Sequence, residues 1–250
     1  MSHAARKLAG SEAGIRIEGI GKRFGKKVAL AGISLTLPDR GVVILAGENG
    51  AGKSTLLRII TGYLDPDAGD VWVAGHHVGR ARIAAQSRCG YLPESVPLYP
   101  EMTVTGYLHF RARLKRIASR DAGARVAAAL DQAGVREVRD EVIGHLSRGF
   151  RQRVGIADAL LGDPAVLILD EPASGLDPVQ ARNLRATIAR CARDRLVLVS
   201  THRLAEVETI AARVVILVAG RVRVDGDAAE IARAAGLGPG TALEDAFVAI

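Results

Sequence analysis

Val42–Gly62 reads VVILAGENGAGKSTLLRIITG and holds three kinds of sequence in a row. VVILAG is a nearly continuous apolar run, the pattern of a central strand in a parallel sheet buried on both faces. GENGAGKST, Gly47 to Thr55, places two glycines five residues apart and follows the second with Lys53 and Ser54. KSTLLRIITG then turns helical. A glycine-rich turn between a strand and a helix wraps its backbone around oxyanions with several NH groups pointing inward, and a Cβ at Gly50 or Gly52 would obstruct that nest. The helix opening at Lys53 presents unsatisfied NH groups and its positive dipole end to the same phosphates. The pattern therefore predicts a nucleotide triphosphate cradled by Asn49, Gly50, Ala51 and Gly52. Lys53 reaches the β- and γ-phosphates, the Ser54 hydroxyl ligates magnesium, and Thr55 adds a donor.

Outward from this unit, strand-like runs alternate with helical ones, which predicts an α/β fold with a mostly parallel sheet and helices on both faces. IRIEGI from Ile15 and VALAGISLTL from Val28 read as early strands; AVLILD from Ala165, LVLVS from Leu196 and VVILVAG from Val214 read as further buried ones. Between roughly Thr103 and Leu161 the chain becomes rich in arginine and alanine at helical spacing, with no strand-like run, and reads as an inserted helical subdomain. After Gly220, GRVRVDG suggests a hairpin followed by short helices. The chain is thus expected to form one working unit: a flexible segment over 1–14, a core from 15–94 and 162–227, the helical subdomain over 95–161, and a tail over 228–250.

Composition narrows the class. With 48% hydrophobic residues in 250, a full core can be buried. Cys89 and Cys191 are the only cysteines, with no CxxC pair and no histidine at ligand spacing, so neither a disulfide framework nor a zinc site is supported. The first residues lack the apolar stretch of a secretion signal, and no uninterrupted apolar run approaches the ~20 residues of a membrane span. The expected compartment is a reducing cytoplasm. The net charge is +7, and Thr103–Gly155 carries most of it, with 11 Arg or Lys against 5 Asp or Glu. Such a stretch is either a solvated helical face or a binding surface.

AVLILDEP, Ala165 to Pro172, delivers two carboxylates at the end of an apolar strand. Placing Asp170 and Glu171 together is costly without a cation or water to receive them, although a strand-end Asp and Glu are in isolation often only a polar turn. Beside a phosphate loop, Asp170 holds the magnesium and Glu171 orients or polarises the attacking water. His202 follows LVLVS in the string STH, at the carboxyl edge of the sheet where open α/β folds bind ligands, within reach of a γ-phosphate. His3, His76, His77, His109 and His145 read as structural.

These strings, in this order, closely resemble the nucleotide-binding domain of ABC proteins from about Ile15 to Asp227. The resemblance implies the P-loop NTPase core, an antiparallel β part at the N-terminus, and ATP with Mg2+ as ligands. It adds SGLD, Ser174 to Asp177, similar to the family's D-loop, which puts Asp177 beside the nucleotide, and it makes His202 the switch histidine. Phe24 lies where the family stacks an aromatic, usually Tyr, on adenine. LSRGFRQRV from Leu146 is similar to the signature motif, usually LSGGQ. Ser147 and Gly149 are kept, while Arg148 and Phe150 replace a glycine and a glutamine. In the family this serine and glycine bind the γ-phosphate held by the opposite subunit, so the resemblance implies a dimer of cassettes.

Two departures, LSRGF and Glu94 in place of the family's Q-loop glutamine, are similar to the branch serving type 2 exporters and gliding-motility-associated systems. Glu94 brings another anion near the magnesium and is counted among the metal-side residues with Ser54 and Asp170. The resemblance thus implies an ATPase subunit on the cytoplasmic face of the inner membrane. It would pair with a separate transmembrane permease and a second cassette, with no direct contact to the cargo and none to nucleic acid. No appended regulatory domain is expected after the hairpin near Asp225. The alternative is a soluble ABC ATPase acting on nucleic acid or ribosomes, favoured only by the basic helical segment; a P-loop kinase would carry no LSRGF.

Overall fold

The computed structural model describes residues 14–206, 208–238 and 241–250. Of the segment expected to be flexible, only Gly14 lies among them, and His3 lies outside. Two sheets organise the chain. In the larger, β3 (Gly41–Ala46) sits between β8 (Leu196–Thr201) and β9 (Arg213–Val218), parallel to both. Beyond β8 come β7 (Val166–Asp170) and β6 (Cys89–Leu92), also parallel, while β10 (Arg221–Gly226) closes the other edge antiparallel to β9. Continuous apolar runs form the centre because both faces are covered: Val42, Ile44 and Ala46 enter one core, Val43 and Leu45 the other.

The second sheet is antiparallel: β2 (Lys27–Leu37), β1 (Ile15–Phe24), β4 (Ala68–Val73) and β5 (His76–His77), in that order. The helix after the phosphate loop, α1 (Lys53–Ile60), buries Leu56, Leu57, Ile59 and Ile60 in the core it shares with both sheets. Each such side chain contributes roughly 1.5–3 kcal/mol, which fixes the loop ahead of the helix. A short helix, α2 (Arg82–Ser87), precedes β6.

Between β6 and β7 run α3 (Val104–Leu114), α4 (Ser119–Ala133) and α5 (Arg148–Leu160). Thr103 caps α3 by accepting from the Gly106 NH at 3.1 Å, and α4 ends at Gly134 with φ 66. Tyr107, Leu108, Val126, Leu130, Val154 and Ile156 from these helices join the same core as Val197, Val199 and Ile216 of the sheet. α6 (Pro178–Cys191) leads into β8, and α7 (Ala228–Ala234) and α8 (Leu243–Val248) complete the chain. GRVRVDG does not hold a hairpin by itself. It is one arm, paired with β9 across a turn at Ala219 and Gly220, where φ of 47 and 74 reverses the chain. No helix among the described residues is long and apolar enough to cross a membrane.

Candidate active site

The phosphate loop is shaped from beneath by its glycines. A Cβ on Gly47 would lie 2.5 Å from the Leu217 carbonyl oxygen, and one on Gly52 2.6 Å from that of Ala29. The loop therefore tucks against β9 and β2 only as glycine. At Gly50 a Cβ would meet no protein atom within 4 Å, and what requires glycine there is the left-handed backbone, φ 85. Ala51 is buried: its NH donates to the Glu48 carbonyl at 3.1 Å and its carbonyl accepts from Gly220 at 3.0 Å.

Lys53 is only 6% exposed. Its Nζ donates to the Gly47 carbonyl at 2.6 Å and the Glu48 carbonyl at 3.3 Å, and stands 3.5 Å from Glu171 Oε1. The amine is thus held by its own loop and aimed across at the end of β7. There Asp170 is buried and accepts a hydrogen bond from the Ser200 hydroxyl on the next strand, β8. The Glu171 NH donates to Ser200 twice, to Oγ and to the carbonyl, each at 3.1 Å. Glu171 adopts φ 48, a left-handed conformation that costs an L-residue roughly 1–2 kcal/mol. Its Oε2 lies 3.0 Å from His202 Nδ1. Burial and then the Asp170 charge push the Tyr91 phenol up to about 12.

These groups open onto a cleft of 290 Å³ whose wall includes Phe24, Asn49, Gly50, Gly52, Lys53, Ser54, Thr55, Glu94, Glu171 and His202. Strand register brings them together, since β3, β7 and β8 run parallel and end side by side, so Ala46 pairs with Thr201 and Asp170 with Ser200. Phe24, at the end of β1, is 51% exposed and offers its ring to the cleft, with Lys22 Nζ 5.8 Å from the ring centre. Asp170 is buried and not on this wall. Ser147, Gly149 and Asp177 are not on this wall. Ser147 caps α5, its Oγ accepting from the Phe150 NH at 3.3 Å, and Asp177 caps α6, accepting from the Gln180 NH at 2.8 Å.

Three participants escaped the sequence reading. Lys27 and Glu48 line the cleft, and Ser200 holds the Asp170 carboxylate and the Glu171 backbone NH. The serine was visible in STH, one strand away from the pair it serves. Chemically, the site offers an amine, a histidine and a helix N-terminus to phosphates, and Ser54, Asp170, Glu94 and Glu171 as oxygen donors. Among the described residues no group of three His, Cys, Asp or Glu forms a closed metal cage. A few hard oxygen donors beside a phosphate-binding loop suit magnesium, which keeps waters and takes phosphate oxygens as its remaining ligands.

The family described as ABC transporter matches residues 30–174. Among curated relatives, the Nod factor export ATP-binding protein I of Burkholderia orbicola is 37% identical over 86% of this chain and 71% of its own. ABC transporter A family member 8 of Dictyostelium discoideum is 31% identical, and the chain spans only 26% of that protein. A solved structure of an ATP binding subunit of an ABC transporter superposes with a TM-score of 0.80 at 29% identity, over 94% of this chain and 98% of that one. Fold, cleft and kinship agree: this chain belongs to the ABC transporter family, as one of its ATP-hydrolysing, ATP-binding domains.

Proposed function

We propose that this chain is the ATP-hydrolysing subunit of a membrane exporter, working as one of two cassettes that close on ATP and reopen after hydrolysis. One observation carries the reading. The cleft gathers Phe24, Lys53, Ser54, Glu171 and His202, whereas Ser147 and Gly149, at the start of another helix, lie off its wall. A triphosphate bound here would be met from one side only, and a second cassette supplying its own Ser147 and Gly149 would complete the enclosure.

In this scheme Phe24 stacks on the base. Lys53 and the backbone of Asn49 to Thr55 hold the phosphates, Ser54 and Asp170 hold Mg2+, and Glu171 orients water while His202 contacts the γ-phosphate. Magnesium, when bound, neutralises charge developing on the phosphate oxygens. Asp177 is assigned to the dimer face through its place at the start of α6. Export is favoured by the Burkholderia relative, a Nod factor export ATP-binding protein, and by the LSRGF and Glu94 departures.

A separate permease is the proposed partner, on the cytoplasmic face of the membrane. Its landing place would be a 650 Å³ groove edged by Tyr63, Ile83 and Leu114, which are 72%, 84% and 58% exposed, with Arg111, Lys115 and Arg116 beside them. Exposed apolar side chains gathered in one groove mark an interaction surface.

Glu171→Gln tests the scheme. Hydrolysis is expected to fall roughly 10²-fold or more, with ATP retained and a closed dimer accumulating in light scattering at saturating ATP and magnesium. A monomer under those conditions refutes the two-cassette reading.

A further inference from the structure

The start of α5 and the segment after Glu171 interlock through two glycines. Gly175 has φ 68, and a Cβ on it would lie 2.4 Å from Arg148 Nη1 and 2.6 Å from its Cζ, so the guanidinium lies against the bare glycine. One helical residue on, a Cβ on Gly149 would lie 2.9 Å from Gln180 Cδ. The segment between is short and tightly turned: the Ser174 NH donates to the Glu171 carbonyl at 3.2 Å, the Leu176 NH to the Ala173 carbonyl at 3.2 Å, and Asp177 caps the next helix. Arg148 also shares the wall of a 480 Å³ cleft with Ser174 and Glu94.

We propose that Arg148 is a positioning residue for hydrolysis: its guanidinium holds the Ser174–Asp177 turn against α5 and through it fixes the Glu171 carboxylate. The inference rests on Glu171 as the group that orients water. Glu171 keeps a strained backbone, and such strain persists only where the neighbours over-determine it. On one side Ser200 grips the Glu171 NH, and on the other the Ser174 turn takes its carbonyl. Arg148 is the side chain that braces that turn. A glycine at position 148, the family's usual residue, would leave Gly175 unbraced. A side chain at 175 would drive the guanidinium away. The pair therefore works as arginine with glycine, and neither partner is on the nucleotide cleft.

A double-mutant cycle on steady-state ATP hydrolysis by the purified full chain tests this, with Glu171→Gln alongside. Arg148→Gly is expected to lower kcat about 10-fold, while KM for ATP stays within about 2-fold. Gly175→Ala should lower kcat on the order of 10²-fold in the parent but less than about 3-fold more in the Arg148→Gly background. The backbone strain of alanine at 175 is present in both backgrounds and cancels. Arg148→Met keeps the helix start and the stem without the fork, and should lose kcat as the glycine variant does. Additive losses, parent-like kcat in Arg148→Met, or a change in KM instead of kcat each overturn the inference. If Glu171→Gln itself keeps the parent kcat, the catalytic reading falls and takes this inference with it. If Glu171→Gln is inactive while the cycle is additive, only the role of Arg148 is lost.

Discussion

Two groups of buried charge differ in how completely they are answered. At the nucleotide cleft, Asp170 and Glu171 stand side by side, with Lys53 3.5 Å away and His202 3.0 Å away from the second. In the helical region, one carboxylate, Asp158 of α5, meets Arg111 Nε at 3.0 Å, Lys115 Nζ at 3.1 Å and the Tyr107 hydroxyl at 3.2 Å. The first group has more anion than its neighbours neutralise and opens to a cleft. The second sets two cations around one acid and ties α3 to α5 through Asp158 Oδ2, while Asp158 Oδ1 has Lys115 beside it as an ion pair without a hydrogen bond. Low dielectric makes both expensive to leave incomplete, so the open group is the one arranged for an incoming cation and phosphates.

Single substitutions should separate the two by readout. Lys53→Ala removes the amine that faces the phosphates, and ATP affinity by calorimetric titration should drop on the order of 10²-fold. Asp158→Asn leaves Arg111 and Lys115, both partly exposed, without the buried acid they share, and urea unfolding should show a loss of about 2 kcal/mol with ATP affinity unchanged. The contrast breaks if Lys53→Ala destabilises the fold as much as Asp158→Asn does.

The contrast also marks what sequence can carry. β3, β7, β8 and β9 are legible because strands buried on both faces are uninterrupted apolar runs. β4, AGDVWV, and β6, CGYL, are not, since the first begins with exposed residues and the second spans four positions. The phosphate loop is local and can be read directly. Lys53 and Glu171 stand far apart along the chain, and only their motifs announce them. Nothing local in Tyr107 or Asp158 signals that they meet across 51 positions, and nothing in LSRGF says that its arginine lies on Gly175. Pairings of that kind depend on helix packing, which periodicity does not encode.

A phenol stands beside each of the two acids, Tyr91 by Asp170 and Tyr107 by Asp158, and alkaline pH probes them together. Burial, then the charge of the nearby carboxylate, raises Tyr91 beside Asp170 from 10.0 to about 12 and raises Tyr107 beside Asp158 as well. A folded-state value above the unfolded one gives stability that is intact below pH 10 and lost as pH climbs through the folded value. Lys115 acts oppositely: burial lowers it from 10.5, so its contribution improves up to that pH and then levels off. Thermal unfolding from pH 9 to 12 should show a falling midpoint above about 10.5, where the lysine no longer compensates. Tyr107→Phe and Tyr91→Phe should each flatten the fall. A slope unchanged in both variants would mean that neither phenol is held neutral by its surroundings.

Glu94 stands between the nucleotide cleft and the start of α5, which makes it the finest test of how far the cleft's charge extends. It lines the nucleotide cleft with Ser54 and Glu171, and it lines the cleft behind it with Arg148, Arg151 and Gln152. If its charge acts on the cleft side, it adds a third carboxylate to Asp170 and Glu171 and strengthens the pull on a divalent cation. If it acts on the other side, it is answered by two arginines and its charge is spent there. The first arrangement makes Glu94→Gln raise the magnesium concentration needed for half-maximal hydrolysis by about 3-fold, the size expected for one partly solvated charge. The second makes magnesium curves of parent and variant superimpose while kcat moves. Because Arg148 faces Gly175 and is already engaged there, the cleft side is the arrangement expected, and the shift in magnesium requirement should therefore survive in the Arg148→Gly background.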